Sequence, residues 1–112
     1  MLERKMTKIV AAVPFTATGT TGTYKITESN GFIERMIIKV PTFTNVVTAT
    51  IQILDDDGDV LFDSGAKAMG TNYPLATVYI PLMYNYTTNV ILSGVPGGAG
   101  GTVRVKMYTL SA

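Results

Sequence analysis

Hydrophobic and polar positions alternate along this chain in short blocks, each closed by Gly, Asn, Asp or Pro. A period of two puts successive side chains on opposite faces of a strand, and blocks recurring at intervals of roughly ten residues mark a sandwich or barrel. The first candidate strand is Lys8 to Val13, stopped by Pro14, which cannot donate to a ladder. Thr18 to Gly22 reads as a loop. Thr23 to Glu28 sets Tyr24 and Ile26 against Thr23, Lys25 and Thr27, so one face is buried and the other wet. Asn30-Gly31 then supplies the two positive-φ residues of a type I′ turn and predicts a direct hairpin into Phe32 to Val40. In that strand Met36-Ile37-Ile38 breaks the alternation, which predicts that both faces are covered.

Pro41 ends the strand, and Val46 to Leu54 resumes with Ala49, Ile51 and Ile53 on one face and Thr48, Thr50 and Gln52 on the other. Asp55 to Asp59 forms the next turn, read as type I′ at Asp57-Gly58, and Val60-Leu61-Phe62 returns from it. Asp63 to Asn72 is a connection. Tyr73 to Met83 is apolar and aromatic, but Pro74 and Pro81 make it an edge strand or a broken one. Thr88 to Leu92 and Thr102 to Leu110 form the last pair, joined by a glycine-rich loop from Ser93 to Gly101. No window shows the i, i+3, i+4 spacing of a capped helix. The expected class is therefore all-β: an antiparallel β-sandwich of about eight strands, jelly-roll or Greek-key. Tight turns between neighbouring strands suit a hairpin-rich Greek key, whereas a jelly roll pairs mostly distant strands, so the pattern leaves the pairing open. The expected organisation is an N-terminal arm, residues 1–6, followed by a single domain, residues 7–112.

Composition agrees with the pattern and narrows the chemistry. The chain has 112 residues, among them seventeen threonines, and neither histidine nor cysteine. Threonine carries two heavy atoms on Cβ, which restricts χ1 and suits a pleated surface. Surface scaling for 12.0 kDa predicts roughly 6,000 Å² exposed when folded against about 17,000 Å² unfolded, enough for one thin core. Without His or Cys, ordinary zinc sites, Ser-His-Asp triads and disulfide frameworks are excluded. The lack of Cys fits a reducing interior, or an assembly that needs no disulfides.

Only 15% of residues are charged, well below the average of about 25%, which favours a surface partly covered by a partner. Nine basic and eight acidic residues leave a net charge of +1, no footprint for nucleic acid. No run approaches the roughly 18 apolar residues of a membrane helix. Residues 1–16 faintly resemble a signal peptide, but Ile9 to Phe15 is a short run ending in Pro14-Phe15 without a small-residue cleavage site, and it reads as a strand.

Three segments could carry a site. Asp55, Asp57 and Asp59 form the weak metal candidate, because Ca²⁺ takes six to eight oxygen ligands converging on one point. The Asp-x-Asp-Gly core is present, yet no Glu closes an EF-hand loop and no helices flank it, so a polar turn is the favoured reading. The glycine-rich stretch Gly94 to Gly101 lacks the Lys-Ser/Thr of a phosphate loop and precedes a strand pattern; it reads as a mobile hairpin loop whose Gly97 and Gly98 could contact a partner. Tyr73, Tyr79, Tyr84 and Tyr86 crowd one region, and tyrosines suit interfaces or sugar faces. Of these, Tyr73, Tyr84 and Tyr86 are named as contacts, together with Arg4 and Lys5 of the basic N-terminal arm. Glu3, Glu28, Glu34, the Asp cluster and Asp63 are the acids available for catalysis, and nothing places two of them at a working separation. No catalytic residue, cofactor or enzymatic activity is expected.

At Asn30-Gly31-Phe32-Ile33-Glu34-Arg35, leading to Ile37-Ile38-Lys39-Val40-Pro41, and again at Ser93-Gly94-Val95-Pro96-Gly97-Gly98-Ala99-Gly100-Gly101-Thr102-Val103, the sequence resembles small structural proteins of tailed-bacteriophage virions. In size and pattern it is most similar to capsid decoration proteins, the cement or staple proteins of β-sandwich or jelly-roll type. That resemblance implies a homodimer or homotrimer on the capsid exterior, present in the host cytoplasm during assembly, whose partner is the major capsid protein. It would stabilise the shell by clamping neighbouring capsid subunits, with no nucleic acid or membrane involved. Two alternatives remain beside it: a carbohydrate-binding β-sandwich module, which would stack sugars on the Tyr73 to Tyr86 region, and a tail or baseplate structural domain.

Overall fold

A computed structural model describes residues 5–27, 31–75 and 79–110, which form nine strands and no helix. They are β1 (Met6–Phe15), β2 (Thr21–Lys25), β3 (Gly31–Val40), β4 (Thr48–Leu54), β5 (Val60–Ala68), β6 (Thr71–Leu75), β7 (Ile80–Leu82), β8 (Thr87–Leu92) and β9 (Gly101–Leu110). All pairings are antiparallel. The first sheet runs β1-β9-β3, and both β6 and β7 line the far edge of β3; the second runs β2-β8-β4-β5. Their inner faces meet in one core, in which Ile9, Val13, Ile38, Ile51, Val90, Val105 and Met107 are essentially inaccessible to water. The exposed area, 6141 Å², is that expected for one compact chain of this size.

The alternation read from the sequence survives almost everywhere. Along β4 the pattern of Ala49, Ile51 and Ile53 inward against Thr48, Thr50 and Gln52 outward is the one observed. Most of the threonines lie at the surface or half-buried; the buried exceptions are Thr88 and Thr109, and the Thr109 hydroxyl donates to Thr7 O at 3.1 Å. No buried side-chain polar atom among the described residues lacks a partner, as a dry core requires.

Several expectations are corrected. Asn30-Gly31 does not close a hairpin, since β2 and β3 belong to different sheets; Asn30 itself lies outside the described residues. The chain instead continues along β8 past Lys25, where Ile26 N–H donates to Tyr86 O and Asn85 N–H donates to Ile26 O, burying Ile26 before it crosses over. Likewise β8 and β9 are not a pair, because each is claimed by strands distant in sequence: β8 by β2 and β4, β9 by β1 and β3. Among the described strands only β4 and β5 are sequence neighbours that pair directly, so pairing is mostly distant. β1 runs through Pro14, which sits opposite Thr102; as an edge strand it loses nothing to a missing N–H there. The supposed connection Asp63 to Asn72 is mostly strand, shrinking to Met69-Gly70 between β5 and β6. Its glycine and polar residues form a bulge, where the Ser64 hydroxyl accepts from Ile51 N–H at 2.9 Å and Gly65 takes φ 70°.

Met36-Ile37-Ile38 has a different origin from the one its pattern predicts. The register of β3 against β9 shifts between Ile33 and Arg35, so Glu34 is a bulge residue. Inward parity therefore changes from Ile33 to Met36, Ile38 and Val40, leaving Ile37 half-buried on the outer face. The Asp55–Asp59 turn is also not type I′, which needs two consecutive positive-φ residues. Only Gly58 (φ 86°) has one; Gly58 N–H donates to Asp55 O at 3.1 Å and Asp55 N–H to Asp59 O at 3.0 Å. That is a type I turn closed by a left-handed glycine.

Candidate functional site

Two surfaces gather the charged side chains of this chain, one on each sheet. On β1, β9 and β3, inward positions are apolar apart from the Thr7–Thr109 row, so alternate residues are pushed onto the outer face. Cross-strand registers then set Lys8 beside Tyr108 and Arg35, Val10 beside Lys106 and Ile37, and Ala12 beside Arg104 and Lys39. Five of the chain's nine cations thus fall in three adjacent rows, on strands about 4.8 Å apart with rows about 7 Å apart. Lys106 Nζ lies 5.8 Å from the centroid of the Tyr108 ring, a distance at which the ring's negative face attracts it. At the Lys8 end of these rows Met6, Glu34, Arg35, Ile37 and Tyr108 line an open groove of about 530 Å³.

The end of the same face is apolar. Met6 stands opposite Leu110, which stands opposite Phe32, which in turn faces Pro81. Tyr79, 70% exposed, stacks on Phe32 with ring centroids 4.7 Å apart. Sequence reading missed this strip and the cationic grid because both are spread over strands far apart along the chain. A clue lay in Thr102-Val103-Arg104-Val105-Lys106, where strict alternation puts both cations on one face.

On the second sheet, the β4–β5 hairpin holds all five aspartates of the chain. Asp55 Oδ1 accepts from Asp57 N–H at 3.0 Å and from Asp59 N–H at 2.8 Å, which fixes the turn. Asp63 accepts from Gln52 Nε2 at 2.9 Å and from Gly65 N–H at 2.8 Å. The Gln52 bond, then the Gly65 bond, holds the Asp63 carboxyl below its ordinary range against a small opposing desolvation. Asp56, Asp57 and Asp59 are exposed.

A sheet-on-sheet likeness in known structures follows from this geometry. One chain of the Bacillus endospore appendages, described as a novel family of disulfide-linked pili, superposes with a TM-score of 0.54 at 17% identity, covering 98% of this chain and 92% of that one. At such identity the likeness shows the fold: an antiparallel two-sheet sandwich. A chain of infectious bursal disease virus, Gx strain, aligns at 13% identity with a TM-score of 0.43, too loose to bear on this fold; the chain spans about a third of its length (32%). No family model and no curated protein matches the sequence.

The residues singled out from sequence are not brought to one place. Arg4 lies outside the described residues, and Lys5 is exposed just before β1. Tyr73 faces inward on β6, opposite Ile38; its hydroxyl donates to Ala68 O at 2.9 Å, and Lys67 Nζ lies 5.4 Å from its ring centroid. Tyr86 is half-buried against the core, while Tyr84 is 52% exposed in the turn between β7 and β8. Because β6 and β7 pair with opposite ends of β3, Tyr73 and Tyr79 are separated, and the four tyrosines make no single platform.

Gly97 and Gly98 belong to a crossover between the sheets rather than to a hairpin tip. Gly97 N–H donates to Ala17 O at 2.9 Å, Asn45 N–H to Pro96 O at 2.8 Å, and Asn45 Nδ2 to Val95 O at 3.1 Å, which ties the segment down.

The structure does bring one carboxylate oxygen from each of Asp55, Asp57 and Asp59 within 4.8 Å of one another. Ca²⁺ needs six to eight ligands, and Oδ1 of Asp55 already accepts two amides. Calorimetric titration with Ca²⁺ should show no saturable binding below about 1 mM. Saturable heat lost in an Asp55→Asn/Asp57→Asn variant would restore the metal reading.

Proposed function

We propose that this chain is a structural subunit, and specifically a virion protein that binds the outside of a phage capsid and clamps neighbouring capsid subunits. The observation that carries the structural reading is the exposed apolar strip at the end of the first sheet, Met6, Leu110, Phe32, Tyr79 and Pro81. A sandwich without an assembled set of catalytic groups among its described residues, but with an exposed Tyr79 stacked on a half-buried Phe32, is built to be covered. Burying about 25 cal/mol per Å² of such surface on a partner favours docking.

The strand order supports a jelly-roll reading. If β6 and β7 are counted as one strand interrupted between Leu75 and Ile80, the sheets pair 1-8-3-6 and 2-7-4-5 in an eight-strand count, the distant pairing of a jelly roll. The similar chain of the spore appendages comes from disulfide-linked pili. This chain has no cysteine, so no disulfide of its own can link any assembly it forms.

The test uses expanded shells of the phage whose genome encodes the chain. Full-length protein should co-sediment with them saturably and raise the temperature at which they disrupt. Tyr79→Ala should weaken that binding about tenfold, in the range of one anchor side chain. Failure to bind the shells removes the capsid reading.

A further inference from the structure

We propose that copies of this chain associate head to tail, the cationic outer face of the first sheet in one copy receiving the aspartate hairpin between β4 and β5 of the next. The outer face of the first sheet holds like charges side by side. Arg104 stands directly opposite Lys39, and Lys106 lies one row away on the same strand as Arg104. Like charges directly opposed across strands destabilise a sheet. Among the described residues none of Lys8, Arg35, Lys39, Arg104 and Lys106 has an ion-pair partner; Glu34, at the bulge beside Arg35, is the one carboxylate on these strands. Such a grid is tolerated when something anionic lies over it.

The chain carries a fitting occupant. Its five aspartates all fall between residues 55 and 63, equal in number to the five cations of the grid. Asp56, Asp57 and Asp59 point into solvent from a turn that Asp55 holds rigid, so little is lost in ordering them. Directly behind them Val60 and Leu61 are exposed apolar side chains, 50% and 39% accessible. The receiving face has the same composition with the sign reversed: cations interleaved with Val10, Ile37 and Tyr108, beside a groove of about 530 Å³. An acidic tip with an apolar base matches this face in both charge and apolar content, which a uniformly charged polyanion does not.

No copy can satisfy itself, because the hairpin belongs to the second sheet and the grid faces away from that sheet. Each copy therefore keeps one free donor and one free acceptor surface. Contacts of that kind build rings or open chains rather than two-fold dimers. The inference rests on the structural reading above, but it can fail while capsid binding stands.

The full-length chain is examined by sedimentation velocity at about 20 mM and about 1 M salt, where screening lengths are roughly 20 Å and 3 Å. Species larger than one chain should grow with concentration at low salt and dissolve at high salt. Two charge-reversed variants follow, Lys39→Glu/Arg104→Glu/Lys106→Glu on the face and Asp56→Lys/Asp57→Lys/Asp59→Lys on the hairpin, both keeping Asp55. With circular dichroism and melting confirming that each is folded, each alone should associate at least tenfold more weakly. An equimolar mixture should regain association, since every contact between unlike variants is again of opposite sign. A wild type monomeric at every salt concentration, association indifferent to both variants, or no recovery on mixing overturns the proposal. A monomeric wild type that binds heparin through the face residues would assign that face to a polyanion instead. Shell binding is measured on the same variants, so loss of self-association with retained shell binding is read separately.

Discussion

Replacing Gly100 by alanine is expected to destabilise the protein by at least about 3 kcal/mol, whereas the same change at Gly58 should cost only about 1–2 kcal/mol. Both glycines have left-handed backbone, φ 73° and φ 86°, so the conformational penalty is common to the two. The surroundings differ. A Cβ at Gly58 meets nothing within 4 Å, while one at Gly100 overlaps the carbonyl oxygen of Phe15, with Phe15 and Thr16 backbone carbons behind it. Backbone cannot rotate away as a side chain can, and here it belongs to the end of β1, which pairs with the start of β9. Relief would require unpicking that end of the first sheet. Urea denaturation of the two variants checks the difference; equal losses would show that Gly100 answers only to its φ.

Ile38→Ala should cost about 3–4 kcal/mol and Ile37→Ala about 1 kcal/mol, although the two are adjacent and chemically identical. Ile38 is completely buried against the facing sheet, and the cavity left by truncation adds to the lost transfer energy. Ile37 is half-buried on the outer face between Lys106 and Pro74. The contrast is a test of the bulge at Glu34: counted by twos from the buried Ile33, the inward residue would be Ile37. With a total stability of about 5–15 kcal/mol for a domain of this size, the Ile38 loss shifts the midpoint by a large fraction of its range. A reversed order of the two effects would remove the bulge from the solution structure.

The strands were legible in the sequence wherever burial on one face alone dictated the residue. β4 is the clearest case, since every second residue from Ala49 to Ile53 had to be apolar and nothing else intervened. Pairing was less legible, because a turn signature such as Asn30-Gly31 describes a local conformation and says nothing about which sheet the next strand enters. Irregularity misled in both directions: the bulge at Glu34 looked like two covered faces, and the Asp63-Ser64-Gly65 bulge looked like a loop. Tyr73 to Met83 was read correctly as an edge or broken strand, although Pro74 and Pro81 sit within β6 and β7, opposite Ile37 and Phe32, and the two strands are separated between Leu75 and Ile80. The cationic face was not visible because its five side chains come from β1, β3 and β9, and only their registers place them side by side.

The pairing of β1 with β9 also governs when the molecule can fold. Met6 lies opposite Leu110 and Phe15 opposite Gly101, so β1 finds its neighbour only in β9, which is synthesised about 85 residues later. β3 can pair earlier with β6 and β7, but until β9 emerges nothing joins β1 to them in the first sheet. Non-local pairing of this kind slows folding and leaves apolar strand faces exposed meanwhile. Formation of β9, rather than of any local turn, is then the event that commits this sandwich to its native state.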